Sequence, residues 1–204
     1  MLISNNKEMM MIGFPESTLT QEAAFFVGQE LQSKMHIISP DEFFAIQNKH
    51  EYQYGVAFNQ DLEKRQQVID IINELDLDCV RYMHDSVVCY EKDIKKVIGR
   101  GTFIAPFSTI LMGATLGDFC AVETYCLISH HVKIGNNVML HSGTMIAGRT
   151  TIGDNCVFNF KSAALNKLTV GDNVMVNAIS TLTKDALESG VYIGSPARRF
   201  SGTQ

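Results

Sequence analysis

Three of the chain's six histidines, His130, His131 and His141, stand within twelve residues, and two of them are adjacent. Their setting, LISHHVKIGNNVMLHSG from Leu127 to Gly143, is otherwise small, apolar and turn-forming. An imidazole that is neutral near pH 7 can take the proton of an attacking amine or hydroxyl, typically for a gain of about 10²–10⁴ in rate. Histidines also hold zinc, or simply decorate a repetitive scaffold. No nucleophilic Ser or Cys motif is present. Which role applies depends on the elements that carry these side chains.

Those elements are repeats. From Ile98 to Leu182 every sixth residue is apolar, and a glycine follows the apolar position every eighteen residues, at Gly99, Gly117, Gly135, Gly153 and Gly171. Three near-identical turns recur, IGNNV, IGDNC and VGDNV. Gly, Asn and Asp tolerate the backbone angles of tight turns. The position four after each apolar residue is small or β-branched at nearly every repeat, with Leu168 the bulky exception. Three six-residue sides make one triangular coil, and about five coils stack from residue 98 to 187 as a parallel β-solenoid. Residues eighteen apart then lie one above the other, which puts His141 on Glu123, with Asn159 and Asn177 beyond.

The front of the chain has another grain. Short apolar strands are expected at Glu8–Ile12, Met35–Ile38, Tyr52–Phe58 and Cys79–Met83. Helices alternate with them: one opened by a Thr18/Gln21 capping box, one by Ser39-Pro40-Asp41-Glu42, and one capped by Asn59 with Leu62, Ile69, Ile72 and Leu75 on a face. That alternation implies a small parallel α/β sheet over residues 1–82, before a solenoid with its tail over 83–204. A charged connector, YEKDIKK, precedes the first clean coil.

Bulk properties exclude several classes. Net charge is −5, which argues against nucleic acid as the main partner. No run of 18 apolar residues suggests a membrane span, and no signal peptide is evident. Five cysteines without a CxxC fit a reduced, cytoplasmic setting and small core roles rather than a disulfide framework.

The hexads, the GVYIGSPARRF tail and the sequence Ile128-Ser129-His130-His131-Val132-Lys133-Ile134-Gly135 resemble the hexapeptide-repeat acyltransferases. Within them they resemble the nucleotide-sugar acetyltransferases typified by the bacillosamine N-acetyltransferase and the sialic acid O-acetyltransferase family. The resemblance implies a left-handed parallel β-helix, a homotrimer, acetyl-CoA as acyl donor with no metal, and a sugar acceptor of a surface-polysaccharide pathway. The left hand comes from the resemblance alone, because the general rule for parallel crossovers favours the right hand. It puts His130 on the general-base position. An Asp or Glu usually follows that histidine; here His131 does, and the Glu123–His141 pair is a candidate source of the missing carboxylate or a structural ion pair. Coenzyme contacts are implied at Met139, Phe160, Ala178, Lys184 and Arg198. Acceptor contacts are implied at Gly13, Pro15, Ser39 and Asn59, although the usual glycine-rich phosphate loop is reduced to Gly13-Phe14-Pro15-Glu16-Ser17.

Two other readings compete. The departures at His131 and in the phosphate loop suit a trimeric scaffold or binding protein with weakened catalysis. The histidines suit a zinc lyase of the gamma carbonic anhydrase type less well: their spacings are one, ten and eleven, and neighbours on an extended chain point to opposite sides.

Overall fold

The computed structural model describes residues 2–3, 7–31, 35–58 and 61–201. The chain divides into two units, residues 1–82 and 83–204.

In the first unit β1 (Leu2–Ile3) is followed by β2 (Glu8–Ile12), α1 (Thr18–Leu31), β3 (Met35–Ile38), α2 (Pro40–Ala45), β4 (Tyr52–Val56), α3 (Leu62–Glu74) and β5 (Arg81–Met83). Strands β3, β2 and β4 form a parallel sheet in that order. The expected fourth parallel strand reduces to one bridge, Tyr54 to Cys79; β5 pairs antiparallel with β1 instead. Local caps decide where the helices start. Ser39 and Glu42 form a full capping box with Pro40 at the first turn of α2. At α1 the cap lies one residue before the expected Thr18: the Ser17 hydroxyl accepts from the Thr20 N–H, while Gln21 donates to Pro15 O. Asp61, rather than Asn59, caps α3, accepting from the Lys64 N–H at 2.9 Å; Asn59 lies outside the described residues.

The inward face of α3 also differs from expectation. Val68, Ile69 and Ile72 are buried, but Leu62 and Leu75 are exposed and Arg65 is 0% exposed. Arg65 Nη1 donates to Phe58 O at 2.9 Å and Val56 O at 3.3 Å. A buried cation in that place satisfies carbonyls where the β4 ladder ends.

The second unit is a left-handed parallel β-helix. Two-residue strands pair in parallel at intervals of eighteen, as in Ala121 with Met139 and Leu127 with Met145. Ile104, Val122, Ile128, Leu140, Ile146 and Phe158 fill the interior. Six strands stack along one side, starting at Val88–Cys89, so the array begins about one coil before the clean hexads. Part of the charged connector folds as a 3₁₀ turn over Ile94–Lys96, capped by Asp93. The small residues four after each apolar one are buried where predicted, and most of their polar atoms are used, the buried Ser162 Oγ being the exception. Thr102, Ser108 and Thr150 donate to carbonyls fifteen residues on, at 2.7–2.9 Å. Cys120 and Cys156 place Sγ 3.1 Å from the equivalent carbonyls.

The corners explain the sixfold period. Residues 101, 107, 113 and so on to 179 all have positive φ, between 52° and 75°. Three are glycine; the rest include Phe107, Tyr125, His131, Asn137, Arg149 and Ile179. The glycines at 99, 117, 135, 153 and 171 are not these left-handed positions. They are needed because coils touch there: a Cβ on Gly153 would lie 2.9 Å from Gly171 C and from Asp172 N. The Asx residue after each of the last four glycines, Asp118, Asn136, Asp154 and Asp172, caps the coil before. Asp154 Oδ1 accepts from the Asn136 N–H, and Asp172 Oδ1 from the Asp154 N–H. The recurrent IG[ND]N turns are therefore inter-coil joints as well as bends.

Candidate functional site

His130 and His131 occupy a coil corner directly after the strand Leu127–Ile128. His131 is the left-handed residue, with φ of 57°. That turn defeats the side alternation expected of an extended chain and folds the two imidazoles together. Their Nδ1 atoms are 3.2 Å apart, with the rings edge-on at 81°. A hydrogen bond between two Nδ1 atoms needs one to carry a proton and the other a lone pair.

Neighbouring coils seat the rings. Gly148, eighteen residues after His130, would with a Cβ come within 2.6 Å of His130 Nε2 and 2.7 Å of Cε1. Gly113, eighteen before His131, would come within 3.0 Å of His131 Cδ2. Backbone bonds fix both levels: His131 N–H donates to Met112 O and Arg149 N–H to His130 O, each at 3.0 Å. On the same corner as His131, the next two coils carry Arg149 and Lys167, both exposed and both at positive φ. These cations and the two glycines were missed in the sequence reading; their eighteen-residue spacing from the histidines was the available signal.

The Glu123–His141 pair forms, at a different corner of the coil. His141 Nδ1 is 2.7 Å from Glu123 Oε1, and Ser142 donates to Glu123 Oε2 through both N–H and Oγ at 3.0 Å. Burial opposes ionisation of Glu123, but bonds from His141 and Ser142 outweigh it and hold the carboxyl below the usual Glu range. The exposed Phe160 ring lies 5.2 Å from the His141 ring. Within one chain this carboxylate serves His141 and Ser142, and the hydrogen-bonded neighbour of His130 is His131.

The other positions separate. Met139 is 2% exposed, packed with Ala121, Val157 and Met175, so here its side chain is a packing group rather than an open coenzyme contact. Ala178 is exposed, its N–H bonded to Asn177 Oδ1. Lys184 and Arg198 are exposed near the end of the solenoid, and Arg198 donates to its neighbour's carbonyl, Ala197 O. Arg199 is tied to Ser189 O and Glu188. In the first unit Gly13 is covered: a Cβ there would lie 2.6 Å from Thr20 Cγ2 and 2.8 Å from Ala57 O. Pro15 is exposed, and Ser39 is occupied as the α2 cap. Phe14 stands edge-on to the buried Phe58, with centroids 5.4 Å apart. Among the described residues no three His, Cys, Asp or Glu side chains are placed to hold a metal ion, and no helix is long and apolar enough to cross a membrane.

The bacterial transferase hexapeptide family (six repeats) matches residues 131–162. No curated protein matches by sequence. Among solved structures, a variant of perosamine N-acetyltransferase from Caulobacter crescentus, in complex with CoA and GDP-perosamine, superposes with TM-score 0.81 at 16% identity, covering 97% of this chain and 99% of that one. The acetyltransferase domain of PglB from Neisseria gonorrhoeae, in complex with acetyl coenzyme A, gives 0.81 at 16%, covering 96% and 100%. WeeI from Acinetobacter baumannii gives 0.66 at 14%, covering 96% and 100%. The family match thus falls within the β-helix of the second unit, and the small α/β unit precedes it in the chain. At these identities the likeness to the solved acetyltransferases is one of fold, and it extends over nearly the whole chain.

Proposed function

We propose that the protein transfers an acetyl group from acetyl-CoA to an amino or hydroxyl group of a sugar, nucleotide-linked, in the synthesis of a surface polysaccharide. The observation that carries this reading is the His130 imidazole, seated on Gly148 at a coil corner with a hydrogen-bonding partner at Nδ1. The acceptor's nitrogen or oxygen attacks the thioester carbonyl, its bond to carbon forms, and the C–S bond breaks. His130 takes the acceptor's proton at Nε2 and returns it to the departing thiolate. The ligands of the two-part relatives, CoA with GDP-perosamine in one and acetyl-CoA in the other, support this donor and acceptor class.

Arg149 and Lys167, on the corner running on from His131, join Lys184 and Arg198 as partners for the coenzyme phosphates, which suit guanidinium and ammonium groups. Phe160 and Ala178 offer shape and backbone to the coenzyme. The Glu123–His141 pair would hold its own corner in shape beside Phe160. Gly13, Pro15, Ser39 and Asn59 remain the candidate acceptor contacts. A cytoplasmic setting fits a user of acetyl-CoA.

A homotrimer is the expected assembly. One outer sheet face carries Val88, Leu127, Met145 and Ala163 along with Thr109 and Thr181, where another carries Thr115, Lys133, Thr151 and Thr169. The nearby corner adds exposed Phe107, Tyr125 and Ile179, with Phe107 and Tyr125 stacked at 5.2 Å. Light scattering on the purified protein reads the assembly directly.

The scaffold reading draws on one observation, the Gly13 turn. Its glycine is covered by Thr20 and its Pro15 lacks an N–H, so it is a poor cradle for phosphate. Calorimetry with acetyl-CoA, then thiol release against nucleotide-linked amino sugars, separates the two. Turnover that is lost in His130→Ala supports the enzyme. Binding of acetyl-CoA without turnover on any acceptor supports the scaffold.

A further inference from the structure

We infer that His131 is a positioning residue for His130, whose Nδ1–H it accepts, so that His130 Nε2, over Gly148, is the nitrogen left with a lone pair. This rests on the general-base reading of His130.

The geometry leaves few alternatives. At 3.2 Å the two Nδ1 atoms share one proton. If His130 carries it, His130 Nε2 is basic and His131 holds its own hydrogen at Nε2. If His131 carries it, His130 Nε2 is protonated and unable to act as a base. A base oriented through its second nitrogen normally leans on a carboxylate, which fixes the tautomer and raises basicity. Among the described residues, the coils directly before and after this corner bring no carboxylate to it: Met112 and Gly148 stack with His130, and Gly113 and Arg149 with His131, with Asn166 and Lys167 one coil further on. His131 is the acceptor the corner offers. It reaches His130 only because the backbone turns left-handed there, a conformation that His tolerates better than most residues.

The arrangement also suits the step itself. Once Nε2 takes the acceptor's proton, the positive charge is shared across Nδ1–H···Nδ1 with a ring that is exposed to water. The charged residues on this coil's following strand and on the next two coils of the corner, Lys133, Arg149 and Lys167, are cationic, so sharing with a neutral, solvated imidazole stands in for neutralisation by an anion.

The test compares wild type with His131→Asn, His131→Glu and His130→Ala, all checked for fold by circular dichroism. Asn keeps a residue tolerant of the left-handed corner but draws the acceptor back. Expected for His131→Asn is a loss of kcat of about 10–100-fold with the KM for acetyl-CoA little changed. Expected for His131→Glu is recovery to within about threefold of wild type, since a carboxylate accepts the same hydrogen. If His131→Asn turns over like wild type while His130→Ala is dead, the inference falls and the general base stands. If His130→Ala turns over undiminished, the general-base reading falls. A second measurement needs no acceptor: long-range proton–nitrogen NMR on nitrogen-15-labelled protein, with the imidazoles assigned from the variants. His130 is expected as the Nδ1–H tautomer and His131 as the Nε2–H tautomer. The reverse assignment overturns the inference.

Discussion

The imidazole of His130 rests on the bare Cα of Gly148, one full coil further along the chain, with Nε2 2.6 Å from where a Cβ would be. The obstructing atoms belong to the tip of a side chain, so a methyl group at 148 displaces the ring rather than the backbone. Gly148→Ala should therefore cost little stability, within about 1 kcal/mol, yet lower kcat by about 10²-fold through misplacement of the base. Thermal unfolding and steady-state kinetics on the same preparation check both halves.

Glu123 gives a pH signature. Its carboxyl ionises more readily in the fold than at the ordinary value of 4.5, because its bonds from His141 and Ser142 outweigh its burial. A depressed folded value means the stabilisation is fully present above the unfolded value and drains away as pH falls through the folded one. Glu123→Gln should be less stable than wild type at neutral pH and show a flatter loss of stability below about pH 4.5. Urea unfolding across that range decides it; parallel curves for the two proteins would refute the pair's structural role.

The inter-coil glycines should be intolerant for a reason unrelated to backbone angles. Gly153→Ala sets a methyl against the backbone of Gly171 and Asp172, which has no side-chain freedom to yield. A loss of about 2–3 kcal/mol is expected, larger than for Gly148→Ala. Chemical denaturation of the two variants side by side makes the comparison.

Ile179 is a β-branched side chain at φ of 59° and 75% exposed. Left-handed backbone is costly for such a residue and mild for Asn. Ile179→Asn should stabilise the isolated solenoid by about 0.5–1 kcal/mol. If the residue is kept for contact between subunits of the proposed trimer, the same change weakens that self-association. Unfolding and light scattering report the two effects separately.

Burial pushes the Cys126 thiol up to about 12 and the Cys156 thiol up to about 11. Both should resist alkylation at neutral pH until the protein unfolds, as expected of core residues rather than nucleophiles. Mass spectrometry after labelling native and denatured protein checks this.

The solenoid was legible because its rule is one-dimensional: an apolar residue every sixth position and a small one four later, as at Ile104 and Ser108. Its physics was only partly legible. Gly135 and Gly153 read as turn formers, whereas they are contact points between coils, and the left-handed residues are His131, Asn137 and their equivalents. The meeting of His130 with His131 was hidden for the same reason, since alternation holds along a strand and fails at a corner. In the front unit Ser39 announced itself by a strong local motif. Arg65 did not, because its burial answers to carbonyls that a helical wheel does not include. Asp61 displaced Asn59 as cap, a shift of two residues between side chains of similar capping strength.

The stack also has to stop. Every coil offers its backbone groups to the next, so an uncovered last coil would be a template for another molecule to continue the column without limit. Here Gly190–Gly194 adds to Val174–Val176 in parallel, and Ala197–Arg199 then turns back antiparallel along it. A reversed strand at that edge breaks the repeat's direction, so a further coil finds no matching register. Read this way, the tail that would face the coenzyme also keeps the molecule finite, a terminator that protects against fibre growth.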